Sequence, residues 1–444
     1  MIAPRTTLLV LTAVVLFPLS LLGAVAPGIF PAAIVVVAAL LLVTVLDGLV
    51  GLHGLDGIDA SLPDRAQFSK DRPGTLSLTI TLSRPRRLAL RAGIAFPNSF
   101  DCDETRALRL GGEHGRHLAE WPCTPRERGR FPLARVHLEV PSPLRLWSVR
   151  AVRPAACVLR VYPNVLEERR KMAALFLNRE DAGVHARRQV GKGREFEQLR
   201  EYLPGDNYED IHWKATARRG VPVTKTYQIE RTQEVYVIVD ASRLSARKLP
   251  GAEQDGDNQL ERFLTAALLL GLVAEQQGDL YGMLSFSDGV HDFVRARKGR
   301  SHFNACRDAL HQLQPRAVNP DFEEVTAFLG ARLRRRALLL FLTNLDDPVL
   351  AETFVKNVQV LNRRHLVFAN LITPGSVRPL FSTPRVQSLD DIYAHLGGHL
   401  QWRDLRELRR NLKLRGVSLG LLNSSAFCAD LVSQYMRVKQ RQLI

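Results

Sequence analysis

The chain has 444 residues, too many for one ordinary domain, and its 46% hydrophobic and 24% charged content are the proportions of a globular chain able to bury cores. The formal net charge is +16. That charge does not by itself make a nucleic-acid binder: Arg84-Pro85-Arg86-Arg87 and Arg334-Arg335-Arg336 lack interleaved aromatics or a recognisable binding motif. A basic body is also what an anionic membrane leaflet attracts.

From Thr6 through Leu46 there is no charged side chain. One straight helix of that length would run about 60 Å, twice a bilayer's hydrocarbon thickness. Ala26-Pro27-Gly28 and Pro31 are turn chemistry in its middle, so two helices are expected, Thr6 to Val25 and Phe30 to Val50, with Pro18 tolerated inside the first. A cleaved signal peptide would leave the second run unexplained. A hairpin returns both ends to one face. The connecting loop has no Lys or Arg, whereas Arg5 and the basic flank after Asp64 lie on the other side, which predicts cytoplasmic soluble domains in an inner-membrane protein with two spans. Cys102, Cys123, Cys157, Cys306 and Cys428 show no CxxC or zinc spacing, in keeping with reduced thiols on that side.

Residues 61–162 alternate apolar and polar in short runs, clearest at Thr75 to Leu82, Arg87 to Ala95 and Ala134 to Val140, and predict a small all-β sandwich. Pro141, Pro143 and Pro154 punctuate its far end. Residues 163–234 are less regular, with a short helix expected over Arg169 to Arg179 and short elements or structured loop from Gly191 to Thr226.

Over 235–444 the rhythm becomes strand, helix, strand. Val235 to Val239 is a continuous β-branched run suited to burial on both faces, and Asn258 to Gln277 is a long helical pattern. Strands follow at Leu280 to Phe286, Val290 to Arg295, Ala337 to Thr343, His365 to Ile372 and Val417 to Leu421. Helical patterns cover His302 to Leu313, Phe322 to Arg335, Pro348 to Leu361, Leu389 to Lys413 and Ala426 to Lys439. This alternation argues an α/β, Rossmann-like domain with a parallel sheet covered on both faces.

Open α/β sheets place sites at the carboxyl ends of strands, which draws attention to Asp240-Ala241-Ser242-Arg243-Leu244. Asp-x-Ser-x-Ser there would be the metal-ion-dependent adhesion site of a von Willebrand factor type A domain, with hard oxygen ligands for a divalent cation. Leu244 occupies the third position, Ser245 is one residue out of register, and Asn344 stands where an aspartate is often found, with Asp346 beyond it. A capping or turn role for Asp240 is therefore expected ahead of a working cation site, and no cofactor is expected. Asp240, Ser242 and Asn344 are the candidate partner-binding residues.

A second constellation runs from Gly191 to Arg218. Pro204-Gly205 is a turn signal, and Asp206, Asp210 and His212 have the types for a metal set or acid/base group, the basis of an alternative reading as a membrane-bound metal-dependent hydrolase. The blander reading is a hydrogen-bonded loop with Trp213 as its buried anchor. The run contains Gly191-x-Gly193-x-Glu195-Phe196, Leu199-Arg200-x-Tyr202-x-Pro204-Gly205-Asp206 and Ile211-His212-Trp213-Lys214-x-x-Ala217-Arg218. With Arg128-Gly129-Arg130-Phe131, Pro141 to Trp147 and Tyr435 to Lys439, it resembles the bacterial domain of unknown function 58 family. That resemblance implies a membrane-anchored, von Willebrand type A-like protein, non-enzymatic, partnered by a MoxR-type AAA-plus ATPase in assembly or envelope-related processes.

Overall fold

The computed structural model describes residues 1–25, 30–83, 87–111, 115–170, 190–191, 195–204, 206–228, 233–249, 258–373, 375–380, 382 and 388–441. The apolar turn at Ala26-Pro27-Gly28, the basic Arg84-Pro85-Arg86, most of the expected helix over Arg169 to Arg179, and Gly193 and Gly205 lie outside the described residues. The chain divides into two compact units, Met1–Asn164 and Val165–Ile444. It is a mixed α/β protein.

In the first unit two apolar helices, Thr6–Val25 and Phe30–Leu52, precede the strands, with Pro18 inside the first. Pro31–Leu55 is long and apolar enough to cross a membrane, while the apolar stretch Thr6–Leu21 is shorter. One sheet runs Ile2–Pro4, Trp147–Tyr162, Gly129–Pro141, Leu88–Ile94, Thr105–Leu110, with Arg65–Ser69 also paired to Trp147–Tyr162. The other runs Ile58–Ser61, Gly74–Leu82, Gly115–Pro125, Phe100–Asp101. Period two decides the packing: Leu76, Leu78 and Ile80 are buried against Leu90, Val136 and Leu138 of the opposite sheet, while Ser77, Thr79 and Thr81 turn outward. Trp121 fills this core and its Nε1–H donates to Asp103 O at 2.7 Å. Pro154 does not end a strand as its position suggested. Trp147–Tyr162 runs straight through it, and the register shifts between Pro154 and Cys157, a bulge that absorbs the missing N–H.

The apolar helices join this unit without a loose linker. Asp47, buried near the end of the second, accepts from the Ser142 hydroxyl (2.5 Å) and the Leu144 N–H (2.9 Å). Trp147 Nε1–H donates to Thr44 O at 2.8 Å. At the start of the first helix the Arg5 N–H donates to Leu146 O and the Thr7 hydroxyl to Arg145 O. One turn, 142–147, therefore takes bonds from both helices.

The second unit opens with a three-stranded antiparallel sheet, ordered Val190–Gly191, Val223–Gln228, Glu195–Glu201, beside the short helix Trp213–Arg219. A six-stranded sheet follows, ordered Val290–Arg297, Leu280–Phe286, Glu234–Asp240, Ala337–Leu342, Leu366–Thr373, Ser418–Asn423. All neighbours are parallel except the hairpin between Leu280–Phe286 and Val290–Arg297. By chain order this is third, second, first, fourth, fifth, sixth, the doubly wound arrangement. Val235, Val237 and Val239 face helices Gln259–Gln276, Arg300–Leu310 and Phe427–Gln440; Tyr236 and Ile238 face Phe322–Arg332, Pro348–Asn362 and Leu389–Leu414. Each such fully buried apolar side chain contributes about 1.5–3 kcal/mol. Gly282 is required where it stands, since a Cβ would lie 2.6 Å from the Tyr236 ring and 2.7 Å from Ala296 N. The last helix is pinned by buried Asp279, which accepts from the Tyr435 hydroxyl, from Lys439 Nζ at 2.9 Å and from Gln233 N–H at 3.2 Å.

Candidate functional site

The sheet's strand order reverses between its first and fourth strands, where an open α/β sheet leaves a crevice. Asp240 ends the first strand and Thr343 follows the fourth. Asp240 is wholly buried; its Oδ1 accepts from the Ser242 N–H at 2.8 Å and its Oδ2 from the Thr343 hydroxyl at 2.6 Å. Burial pushes its carboxyl above the ordinary aspartate range, and the hydrogen bonds from Thr343 and Ser242 oppose that rise. The Ser245 hydroxyl, one residue out of the adhesion register, donates to Ser242 O at 2.8 Å, while Leu244 packs inward. Asn344 donates from Nδ2 to Gln259 Oε1 at 3.2 Å. Asp240, Ser242 and Asn344 thus gather at the carboxyl edge, at 0%, 0% and 2% exposure. They form an internal polar lock in which Asp240 and Ser242 lie beneath the surface and Asn344 also lines the groove beside it. Thr343 and Gln259 complete the lock; only the position of Thr343, directly after a buried strand, hinted at it in sequence.

Beside this lock opens a groove of 460 Å³. Asn344, Leu345 and Asp346 form its floor beyond the fourth strand, with Ile372 and Thr373 ending the fifth and Leu421 in the sixth. Ala351 and Val355 of one helix and Gln401, Leu405 and Leu408 of another wall it. Part of its polar rim is engaged: Asp346 pairs with Arg247, and Lys356 Nζ meets Glu352 Oε1 at 3.0 Å. Helical periodicity placed these side chains on inward faces but could not reveal that two helices part above the sheet edge.

A further polar cluster closes the hairpin after the second strand. Ser287 Oγ lies 2.6 Å from His291 Nε2 and donates to Asp288 Oδ1 at 2.7 Å, and Arg316 stands 3.8 Å from the same carboxylate oxygen. With the one Ser287 proton directed to Asp288, His291 donates to Ser287. Burial, then the Arg316 charge, pushes the imidazole below its usual value. The residue types are those of a nucleophile and base, yet Ser287 is fully buried and its bonds close the turn.

The signature residues that the structure describes hold local structural positions. Arg200 Nη2 meets Asp206 Oδ1 at 2.6 Å, and Asp206 Oδ2 accepts from the Leu203 N–H at 3.0 Å, closing the turn around Pro204. The Leu203 N–H, then Arg200, hold the Asp206 carboxyl below the ordinary range. His212 caps the Trp213–Arg219 helix: its Nδ1 accepts from the Ala215 N–H at 3.0 Å, so the ring's proton sits on Nε2. Ile211 is buried and bridges Thr224, and Asp210 ends the 3₁₀ turn Tyr208–Asp210. Gly191 lies in the strand Val190–Gly191; Glu195, Phe196 and Leu199 lie in Glu195–Glu201, and Tyr202 follows, its N–H bonded to Pro222 O. Trp213 is not a buried anchor. It is 66% exposed on the short helix with Lys214, Ala217 and Arg218, because His212 and the Val223 strand already hold that segment. The Asp206 and His212 side chains are thus occupied with turn and cap, Asp210 ends the 3₁₀ turn through its backbone, and among the described residues no three His, Cys, Asp or Glu side chains converge as a metal set.

Residues 198–375, from inside the signature to just past the fifth strand, match the family model described as Protein of unknown function DUF58. That match supports placing the chain with the DUF58 family. The lock and most of the groove fall within the DUF58 segment, whereas the apolar helices, the sandwich and the last two helices lie outside it. A comparison with curated proteins finds no match. Among solved structures, the CARDB domain of the PF1109 protein from Pyrococcus furiosus, in complex with di-metal ions, is 8% identical, covers 23% of this chain and 91% of its own, and has a TM-score of 0.16. Proximal thread matrix protein 1 from the mussel byssus is 9% identical over 47% of this chain and 46% of its own, with a TM-score of 0.27. Scores this low carry no argument about this chain.

Proposed function

We propose that this DUF58 protein is a membrane-tethered, non-enzymatic docking module whose groove at the carboxyl edge of the α/β sheet receives a segment of a partner protein, a MoxR-type AAA-plus ATPase. The observation that carries this reading is a 460 Å³ groove, walled by apolar Ala351, Val355, Leu405 and Leu408 and rimmed by charged Glu352, Lys356, Asp404 and Glu407, beside a buried, hydrogen-bonded polar lock. Such a lock gives a rigid receptor surface, and apolar walls with few polar groups are the usual lining of a binding cleft. In this reading the domain is von Willebrand type A-like with a degenerate adhesion site, Leu244 and Asn344 replacing ligands, so docking runs through shape and apolar contact and needs no cation.

The tether is a two-span hairpin. Its support is that the start of the first apolar helix and the end of the second bond to the same turn, 142–147, which returns both to one side. Arg5 and the basic residues Arg65, Lys70 and Arg72 flank that side, as cytoplasmic segments do. The five free cysteines fit a reducing compartment; burial pushes the Cys123 and Cys306 thiols up to about 12 and Cys102 to about 11.

Capture of the full chain from detergent-solubilised membranes tests this. Recovery of a MoxR-type ATPase, with or without magnesium, by the wild type and its loss in Leu408→Arg supports the reading; equal recovery by both, or none by either, rejects it.

A further inference from the structure

We infer that the 142–147 corner of the sandwich sits in the bilayer interface itself, with Leu144 at the acyl boundary and Arg5 and Arg145 at anionic lipid phosphates. This rests on the reading of the apolar helices as membrane spans, and goes beyond it by placing part of the β-domain in the membrane.

The length of the second apolar helix points there. From Phe30 to Leu46, the last residue before a charge, the helix rises only about 25 Å, short of the roughly 30 Å hydrocarbon layer. Continuing to Val50 brings it to about 30 Å. That continuation has two distinct faces. Thr44, Asp47, Gly48 and Gly51 form a stripe buried against the sandwich; a Cβ on Gly48 would lie 3.4 Å from Trp147 Nε1, and one on Gly51 3.1 Å from Ser142 Cβ. On the opposite face Val45, Leu46, Leu49 and Val50 are 47–62% exposed. That apolar face is continuous with the span above it, so lipid is its natural cover, and the corner packed on the other face lies at the same depth.

The corner's own residues fit that depth. Asp47, the charge that would otherwise end the span, is screened by the Ser142 hydroxyl and the Leu144 N–H. Trp147 spends its one indole donor on Thr44 O, as an interfacial tryptophan must when water is scarce. Leu144 is 59% exposed at the tip. Arg145 is exposed beside it in the left-handed region (φ 61°), its carbonyl taken by Thr7, and Arg5 is bonded through its N–H to Leu146 O. Two guanidinium groups at the foot of an apolar helix pair suit phosphate.

The test uses the full chain in lipid nanodiscs, in a Cys102→Ser background, with an environment-sensitive fluorophore on Leu144→Cys, Leu42→Cys or Arg72→Cys and nitroxide-bearing lipids as quenchers. Leu42 lies mid-helix, and Arg72 lies at the far end of the strand that starts at the corner. Strong quenching at 42, shallow-depth quenching at 144 that is severalfold greater in phosphatidylglycerol-containing discs than in phosphatidylcholine alone, and none at 72 are expected, with the lipid dependence lost in Arg5→Gln/Arg145→Gln. Quenching at 42 with 144 indistinguishable from 72 overturns this inference and leaves the tether standing. No quenching at 42 overturns both, and quenching at 144 indifferent to lipid charge overturns the phosphate contacts.

Discussion

The Asp47 carboxylate accepts a 2.5 Å hydrogen bond from the Ser142 hydroxyl, tying the end of an apolar helix to the folded β-domain that begins a few residues later. A joint built this way fixes the helix against the sandwich, because the two share a buried polar contact. Asp47→Ala leaves the Ser142 hydroxyl and the Leu144 N–H without their acceptor, a loss of about 1–3 kcal/mol. Chemical unfolding of the full chain in detergent should show it, with Asp47→Asn between wild type and Ala; unchanged unfolding in Asp47→Ala would mean the joint is not formed.

Asp279 is the corresponding joint at the other end of the chain. Its side chain is 1% exposed and holds Lys439 and Tyr435 of the last helix. Removing one partner of a buried pair is costly, so Asp279→Ala should destabilise by about 3 kcal/mol or more. Limited proteolysis should then release the last helix, Phe427–Gln440, before the sheet is cut.

His212 serves as a helix cap, accepting the Ala215 N–H on Nδ1. His212→Ala should destabilise the signature segment by about 1 kcal/mol, and His212→Asn, a good cap, should restore most of that. Amide exchange at Ala215 reads the difference directly. Failure of Asn to rescue would favour a role for the imidazole that capping does not supply.

Asp240 makes a pH prediction with a definite sign. Its folded-state carboxyl is raised by burial, so the folded chain holds that proton more tightly than the unfolded one. The contribution is fully present below the ordinary aspartate value and is lost as pH rises through the raised value. Asp240→Asn cannot ionise, so its stability relative to wild type should improve from pH 4 to pH 7 in paired denaturation curves. Asp206 has the opposite sign: its carboxyl is lowered, so the stability it gives its turn is present at neutral pH and fades on acidification.

Much of the fold was legible because its signals are local and periodic. The β-branched run at Val235–Val239, the alternation at Leu76, Leu78 and Ile80, and the helix at Gln259–Gln276 each announce burial by period alone. Pro154 misled because a bulge accommodates it within a strand, a solution that depends on the neighbouring strand Gly129–Pro141 and not on local sequence. Trp213 misled because size suggests burial, whereas its exposure follows from which face of a short helix the Val223 strand covers. The candidate site was legible as a place, the strand end at Asp240, but the Thr343 and Gln259 contacts join residues 103 and 85 positions from their partners. The groove depends on the separation of two helices, which no single segment encodes.

Docking of the proposed ATPase partner in the carboxyl-edge groove is tested by photo-crosslinking from Gln401, which lines it, in the full chain reconstituted with a purified MoxR-type ATPase. A crosslink to the ATPase is expected from Gln401, absent from exposed Arg334 on a loop away from the groove, and lost in Leu408→Arg. Equal crosslinking from both positions, or none from Gln401 when the two proteins co-purify, would contradict it.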